Sequence, residues 1–257
     1  MGIKSPITYK WRKTGSKSVR HGMNFAYGGT GVFQTSVPAP NMTTQIHLFQ
    51  RVVHHDRLYT QADLASSLAL VSVAGNDYGY YTSRNGSAQG LLNFIPLVVN
   101  QLALNLKSIH DMGVKKIAVA SLEPLGCLPY STKTSSYKQC NGTQNMVVNF
   151  HNVLLQQAVA KLNNETKGSA FHILDVYDGF MSTIKKKGNN SGNILKPCCL
   201  GLSKGFFCGS VDGKGVKQYS LCKNPDSAIY WDDVHPTQAG WRSVFSTLKA
   251  SLHQLYL

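Results

Sequence analysis

Three groups of residues in this sequence have types and spacings suited to acyl-transfer chemistry. Near the C-terminus runs Trp231-Asp232-Asp233-Val234-His235-Pro236. Asp232 and His235 are three residues apart, so a short turn brings that carboxylate onto the imidazole Nδ1. The aspartate then fixes the ring tautomer and leaves Nε2 free as a general base. Asn76 follows a buried apolar run and offers a side-chain amide, while Gly28-Gly29 offers backbone N–H groups within the glycine-dense stretch His21 to Gly31. A backbone N–H and an Asn amide together suit an oxyanion hole, each donor contributing about 2.7–4 kcal/mol to transition-state stabilisation. Each feature also has a structural reading: Gly28-Gly29 as a tight turn, Asn76 as a helix N-cap, Asp-x-x-His as a packing pair. Their order along the chain favours the chemical reading. A rival nucleophile is Ser203, because Gly201-Leu202-Ser203-Lys204-Gly205 fits the G-x-S-x-G elbow and precedes Asp232 and His235 in triad order. The elbow needs a strand before the serine and a helix after it. The flanking Lys196-Pro197-Cys198-Cys199 and Gly205-Phe206-Phe207-Cys208-Gly209 promise neither, so Ser203 is not expected to serve.

Such groups are brought together at the carboxyl ends of strands in an open parallel sheet. The apolar runs Leu68 to Ala74, Lys116 to Leu122 and Ala170 to Val176 read as buried strands, the first ending abruptly at Gly75-Asn76-Asp77. Residues 90–112 carry apolar positions at helical spacing, with Pro96 in the first turns and Gly113 as a stop. Residues 144–163 and 237–255 are helical by the same criterion. Residues 188–225, rich in Gly and Cys, have no period and read as a long stapled loop. Strands alternating with helices mean βαβ units, and no repeat or linker interrupts them. The expectation is one α/β domain spanning residues 1–257 with a parallel sheet.

Composition narrows the classes further. With 257 residues, 42% of them hydrophobic and 15% charged, the chain can bury a sizeable core, which excludes disorder and coiled coil. No apolar run approaches the roughly 18 residues of a membrane span. The net charge of +14 would suit nucleic acid, but the basic residues are scattered. Only Lys4 to Arg20 and Lys185-Lys186-Lys187 are dense, and no zinc-finger spacing or RRM-like motif accompanies them. A solvated basic surface is expected, not nucleic-acid binding. Six cysteines (Cys127, Cys140, Cys198, Cys199, Cys208, Cys222) are an even set without a Cys-x-x-Cys pair, which favours disulfides over zinc and leaves the pairing open. Sequons at Asn41, Asn85, Asn141, Asn164 and Asn189 agree with an oxidising, secretory compartment. The first twenty residues nevertheless lack the apolar stretch of a signal peptide.

The combination resembles the plant-type GDSL esterase/lipases of the SGNH hydrolase superfamily. Asn24 to Gly31 is similar to their second conserved block, Ala74-Gly75-Asn76-Asp77-Tyr78 to the third and Asp232 to Thr237 to the fifth. Ser121 to Pro129 and the Cys198–Cys222 cluster support the likeness, which covers roughly residues 21–257. The resemblance implies a flavodoxin-like three-layer αβα sandwich and secreted, monomeric ester hydrolysis without metal or other cofactor. It makes the substrate a small-molecule ester or lipid, Gly29 and Asn76 the oxyanion donors, Asp232 the orienter and His235 the base. Cys127 is then expected to pair with Cys140, and the remaining four cysteines among themselves. Two departures stand out. Ala74 replaces the glycine usual two residues before the Asn. No Gly-Asp-Ser block occurs, the nearest candidate being Gly15-Ser16-Lys17 in a polar stretch without a strand before it. The expectation is therefore a chain without its first strand, signal peptide or nucleophilic serine, impaired in ester hydrolysis and in stability. The alternative is a non-catalytic relative that binds a lipid or glycan.

Overall fold

The computed structural model describes residues 4–13, 19–188 and 193–255. The sequon residue Asn189 and the stretch Gly15-Ser16-Lys17 lie outside the described residues. Along the chain come β1 (Ile7–Thr8), β2 (Met23–Asn24), α1 (Met42–Gln50), α2 (Gln61–Ala65), β3 (Leu68–Val71), α3 (Gly75–Ser83), α4 (Ala88–Asp111) and β4 (Lys116–Ala120). There follow α5 (Pro129–Thr132), α6 (Gly142–Glu165), β5 (Phe171–Leu174), α7 (Val176–Gly188), β6 (Cys199–Gly201), β7 (Tyr219–Leu221) and α8 (Gln238–Gln254). The chain divides into two units, Met1–Ala120 with His151–Ile173 and Ser121–Phe150 with Leu174–Leu257.

In the first unit β3 and β4 pair in parallel, with Leu68 opposite Lys116 and Val71 opposite Val119. The sheet order is β3-β4-β5, and the Ile117 N–H donates to the Ala170 carbonyl at 2.8 Å. The apolar runs form parallel strands because both faces of such a sheet are covered, and Ile117, Ala118 and Val119 are buried accordingly. α4 follows from its periodicity: Ile95, Val98, Val99, Leu102, Leu106 and Ile109 are all buried along one side. The Ser87 hydroxyl accepts from the Gly90 N–H at 3.0 Å and caps this helix. Because α4 begins at Ala88, Pro96 falls inside it rather than in the first turn, at the loss of one backbone hydrogen bond.

The first strand stops at Val71, three residues short of its apolar run, because Ala74 has φ 94° and turns the chain into α3. Asn76 consequently sits in the first turn of a helix. Beside it in sequence, the buried Tyr78 hydroxyl meets Nδ1 of His151, 1% exposed on α6, at 2.7 Å. Burial pushes His151 down to about 4, so its ring is neutral near pH 7 and accepts from the phenol. Burial, helped by the charge of Asp77, drives the Tyr78 hydroxyl far above its usual range.

The second unit holds α5, α7, α8 and the β6–β7 pair. Phe180 of α7 is buried against Tyr230, with ring centroids 6.2 Å apart, and against the edge of Trp241 of α8. Thr237 caps α8: its hydroxyl accepts from the Gly240 N–H at 2.8 Å and donates to the Ala228 carbonyl at 2.7 Å. The disulfides are Cys127–Cys140, Cys198–Cys222 and Cys199–Cys208. The reading of residues 188–225 as a long stapled loop needs an addition in its described part, residues 193–225. They contain an antiparallel pair, Cys199 opposite Leu221 and Gly201 opposite Tyr219, in strands of three residues. Strands this short, without alternation, leave no periodic signal. Helices α1, α3 and α7 were likewise not evident from periodicity.

Two stability measurements follow. Ala74 occupies backbone that glycine adopts freely and an L side chain adopts at a cost, so Ala74→Gly is expected to stabilise the fold by about 1 kcal/mol, read as a higher Tm. The second concerns acid. An unfolded imidazole takes its proton near 6.5 and the buried one near 4, so the contribution of His151 is complete above pH 6.5 and is lost as pH falls towards 4. Urea titrations at pH 7.5 and 4.5 should show roughly 2–3 kcal/mol more acid loss in the wild type than in His151→Gln. The comparison isolates His151, because the raised carboxyls of Asp77 and Glu123 act in the opposite sense.

Candidate functional site

Gly28 and Gly29 form an exposed turn in the first unit. Gly29 has φ 79°, and a Cβ there would stand 2.5 Å from Val37 Cγ2, so only glycine fits. Gly28 faces open space. The Gly29 carbonyl accepts from the Thr35 hydroxyl at 2.8 Å, whereas its N–H has no partner among the described residues.

Asn76 is exposed at the start of α3, and its Nδ2 donates to the Thr30 carbonyl at 3.0 Å. One amide hydrogen thereby ties the helix to the glycine turn, and the second stays available. The next residue, Asp77, is 2% exposed. Its two carboxylate oxygens accept from the N–H groups of Val32 at 2.9 Å and Phe33 at 2.8 Å. A Cβ on Gly31 would run into the same carboxylate. Burial raises the Asp77 carboxyl above its usual range, with those backbone N–H groups pulling it back. Sequence reasoning had placed Asp77 only as part of a motif. Its role shows in the close approach that the glycine at 31 permits.

In the second unit, Asp232 and His235 meet within one turn. His235 Nδ1 lies 3.0 and 2.9 Å from the two Asp232 oxygens, and Asp232 Oδ1 also accepts from the N–H groups of Val234 at 2.9 Å and His235 at 2.7 Å. The Trp231 N–H donates to the His235 carbonyl at 2.7 Å, and Tyr230 bridges Pro236, closing the loop that leads into α8. Burial alone would raise the Asp232 carboxyl, but the hydrogen bonds from Val234 and His235 outweigh it and hold the carboxyl below its usual range. The imidazole is 74% exposed while its aspartate is 24% exposed, so Nδ1 is occupied and the rest of the ring faces solvent. The arrangement can orient a tautomer and accept a proton at Nε2.

A second carboxyl, not anticipated from sequence, lies near the same histidine. Burial pushes Glu123 up to about 7, with the nearby His235 opposing the rise. Its position just past a buried strand was the available signal. The Asp233 carbonyl accepts from the Tyr130 N–H at 2.8 Å, which fixes the start of α5 beside this turn.

Ser203 lies on the exposed segment after β6, a strand of an antiparallel pair, and the next α-helix after it is α8. Among the described residues no group of three His, Cys, Asp or Glu side chains could hold a metal ion, and no helix is long and apolar enough to cross a membrane. Four sequon asparagines are described. Asn85, Asn141 and Asn164 are exposed, while the Asn41 side chain accepts from the Thr44 N–H and caps α1.

Sequence comparisons agree with this geometry. The chain matches the family described as GDSL-like Lipase/Acylhydrolase over residues 1–248. It is 56% identical to GDSL esterase/lipase At5g03610 of Arabidopsis thaliana over 258 residues, covering 98% of this chain and 72% of that protein. GDSL esterase/lipase At3g09930 of the same plant is 48% identical over 264 residues, covering 100% of this chain and 75% of the relative. A third Arabidopsis protein, GDSL esterase/lipase At5g03590, is 42% identical over 98% of this chain and 74% of its own length. A glycine turn tied to an asparagine, an Asp–His pair before the last helix, and identity sustained across nearly the whole chain have one common explanation: the chain belongs to the GDSL esterase/lipase family.

Proposed function

We propose that this chain hydrolyses carboxylic esters, with His235 as the general base, Asp232 as its orienter, and the Gly29 N–H and Asn76 Nδ2 as oxyanion donors. The observation that carries the reading is the exposed imidazole whose Nδ1 is held by both oxygens of Asp232. Nε2 takes a proton from the attacking hydroxyl group as its oxygen bonds to the ester carbonyl carbon. Negative charge moves to the carbonyl oxygen, where the Gly29 and Asn76 donors stabilise it. The intermediate collapses, His235 returns the proton to the departing alkoxide, and an acid and an alcohol leave.

Residues 1–257 contain no Gly-Asp-Ser, so for this chain by itself the reading assigns the attack to water activated at His235. Hydrolases deprived of their triad keep only about 10³–10⁴-fold acceleration over water. In an assay of p-nitrophenyl acetate with residues 1–257, hydrolysis is expected in that range. Because that residual comes from the oxyanion donors and substrate binding, it should fall only several-fold in His235→Ala, which removes activation of the water, and remain unchanged in Ser203→Ala. Fast turnover that survives His235→Ala, or that Ser203→Ala abolishes, overturns the assignment. If both donors and the base serve one reaction, Asn76→Ala combined with His235→Ala costs less than the sum of the two single losses.

The three disulfides and the exposed sequons Asn85, Asn141 and Asn164 support passage through a secretory pathway. Expression in a secreting eukaryotic host should give a product whose mass drops on endoglycosidase treatment. Its absence would remove the glycoprotein reading.

A further inference from the structure

The disulfide-stapled lobe that follows α7 presents apolar and cationic side chains together. Leu202, Phe207, Val211, Val216 and Leu221 are large apolar residues that stand more than half exposed within twenty positions. Two of them flank half-cystines. Phe207 precedes Cys208, joined to Cys199, and Leu221 precedes Cys222, joined to Cys198. Adjacent bonds to a common Cys198-Cys199 anchor keep this short hairpin from rearranging to bury them. Exposure of this kind marks an interaction surface more often than it marks an ordinary soluble face.

The charge of the lobe is one-sided. Residues 193–225 contain five lysines and one carboxylate, Asp212. That carboxylate is turned to internal use, accepting from the N–H groups of Lys214 and Val216 at 2.9 Å and from Gln218 Nε2 at 3.1 Å. No ion pair among the described residues involves any of the five lysines. Backbone pairing places the two kinds of side chain on one face. Val211 bridges Lys217, and alternation along the extended segment puts Lys217, Tyr219 and Leu221 on the same side, with Lys223 at the bend that follows the strand. The Lys217 Nζ lies 5.9 Å from the centre of the Tyr219 ring, as that alternation requires. A cleft of about 400 Å³ runs beside the pair, lined by Lys196, Leu200, Ser220 and Leu221 among others.

Apolar residues interleaved with lysines and a tyrosine fit the boundary of a lipid layer. There acyl chains take the apolar side chains, anionic headgroups take the ammonium groups, and the phenol sits between them. A soluble polyanion would use the lysines and leave the apolar residues in water. We propose that the stapled lobe, through the face formed by Val211, Lys217, Tyr219 and Leu221 and through its exposed Phe207 and Lys223, docks on an anionic lipid surface. The proposal goes beyond ester hydrolysis and does not depend on a nucleophile.

The experiment is co-sedimentation of the full 257-residue chain with sucrose-loaded vesicles of phosphatidylcholine alone or with 30% phosphatidylglycerol, at low and physiological salt. Polygalacturonate serves as a soluble polyanion competitor. The expected result is partition at least tenfold stronger onto the anionic vesicles, weakened by salt. Phe207→Ser with Leu221→Ser, and separately Lys217→Glu with Lys223→Glu, should each lower it about tenfold or more. Leu97→Ser, an exposed position on α4, is the control and should leave binding unchanged. All these positions are exposed, and a thermal melt of each variant separates a binding defect from a folding one. Equal partition onto the two vesicle types overturns the proposal. So does binding that survives Phe207→Ser with Leu221→Ser but is competed away by polygalacturonate, because the face would then be a polyanion site.

Discussion

The carboxylate of Asp77 is almost wholly removed from water, and no cation pairs with it among the described residues. Its charge is held by two backbone N–H groups, those of Val32 and Phe33. An ionised carboxylate left without such donors in an apolar setting is very costly, so the loop that supplies them has little freedom to drift. The rest of the turn follows from that constraint. Gly31 must lack a side chain because the carboxylate occupies the space a Cβ would take, and its carbonyl receives the first N–H of α1, from Met42, at 2.9 Å. Thr30 then presents its carbonyl to Asn76, and Gly29 turns with positive φ against Val37. A buried anion thus sets the position of two neutral donors, the Gly29 N–H and the Asn76 amide, at one glycine turn.

Much of this was legible in the sequence, and the limits have physical causes. The parallel strands and helices α4, α6 and α8 declare themselves because long buried elements must repeat their apolar residues with the period of their backbone. The Asp232–His235 contact was legible because it is local, spanning one turn. The anchoring of Val32 and Phe33 by Asp77 was not, since it joins residues more than forty positions apart and depends on where a buried carboxylate points. Asn76 was expected in a loop after a strand, but it lies in a helix whose N-cap, Ala74, has no side-chain capping bond. Starting from a left-handed alanine, α3 offers none of the Ser, Thr, Asp or Asn signals by which helix starts are usually read. The alanine that stands where the motif usually has glycine therefore carries backbone strain. In residues 193–225 the order comes from two disulfides and a three-residue pairing, neither of which has a period.

The same preference for backbone over salt bridges explains the electrostatic character of the molecule. Asp63 accepts from the Thr60 N–H at 2.8 Å in a capping box, Asp175 from the Asp178 N–H at 3.0 Å, Asp212 from its hairpin amides and Asp232 from the turn at His235. With 12 acidic residues against 26 lysines and arginines, each carboxylate committed to an amide leaves another cation without a partner. Among the described residues, lysine or arginine meets a carboxylate in three ion pairs: Arg12–Asp56, Lys107–Asp111 and Lys161–Glu165. Lys107–Asp111 and Lys161–Glu165 are exposed pairs, which add at most about 1 kcal/mol, so few of the scarce anions are spent on them and most cap turns and helix starts instead. The positive charge left over faces solvent and sums into a field that falls off over about 8 Å at physiological ionic strength. At +14 that field draws anionic partners towards the molecule and disfavours cationic ones, so the architecture that secures the turns also selects what can approach them.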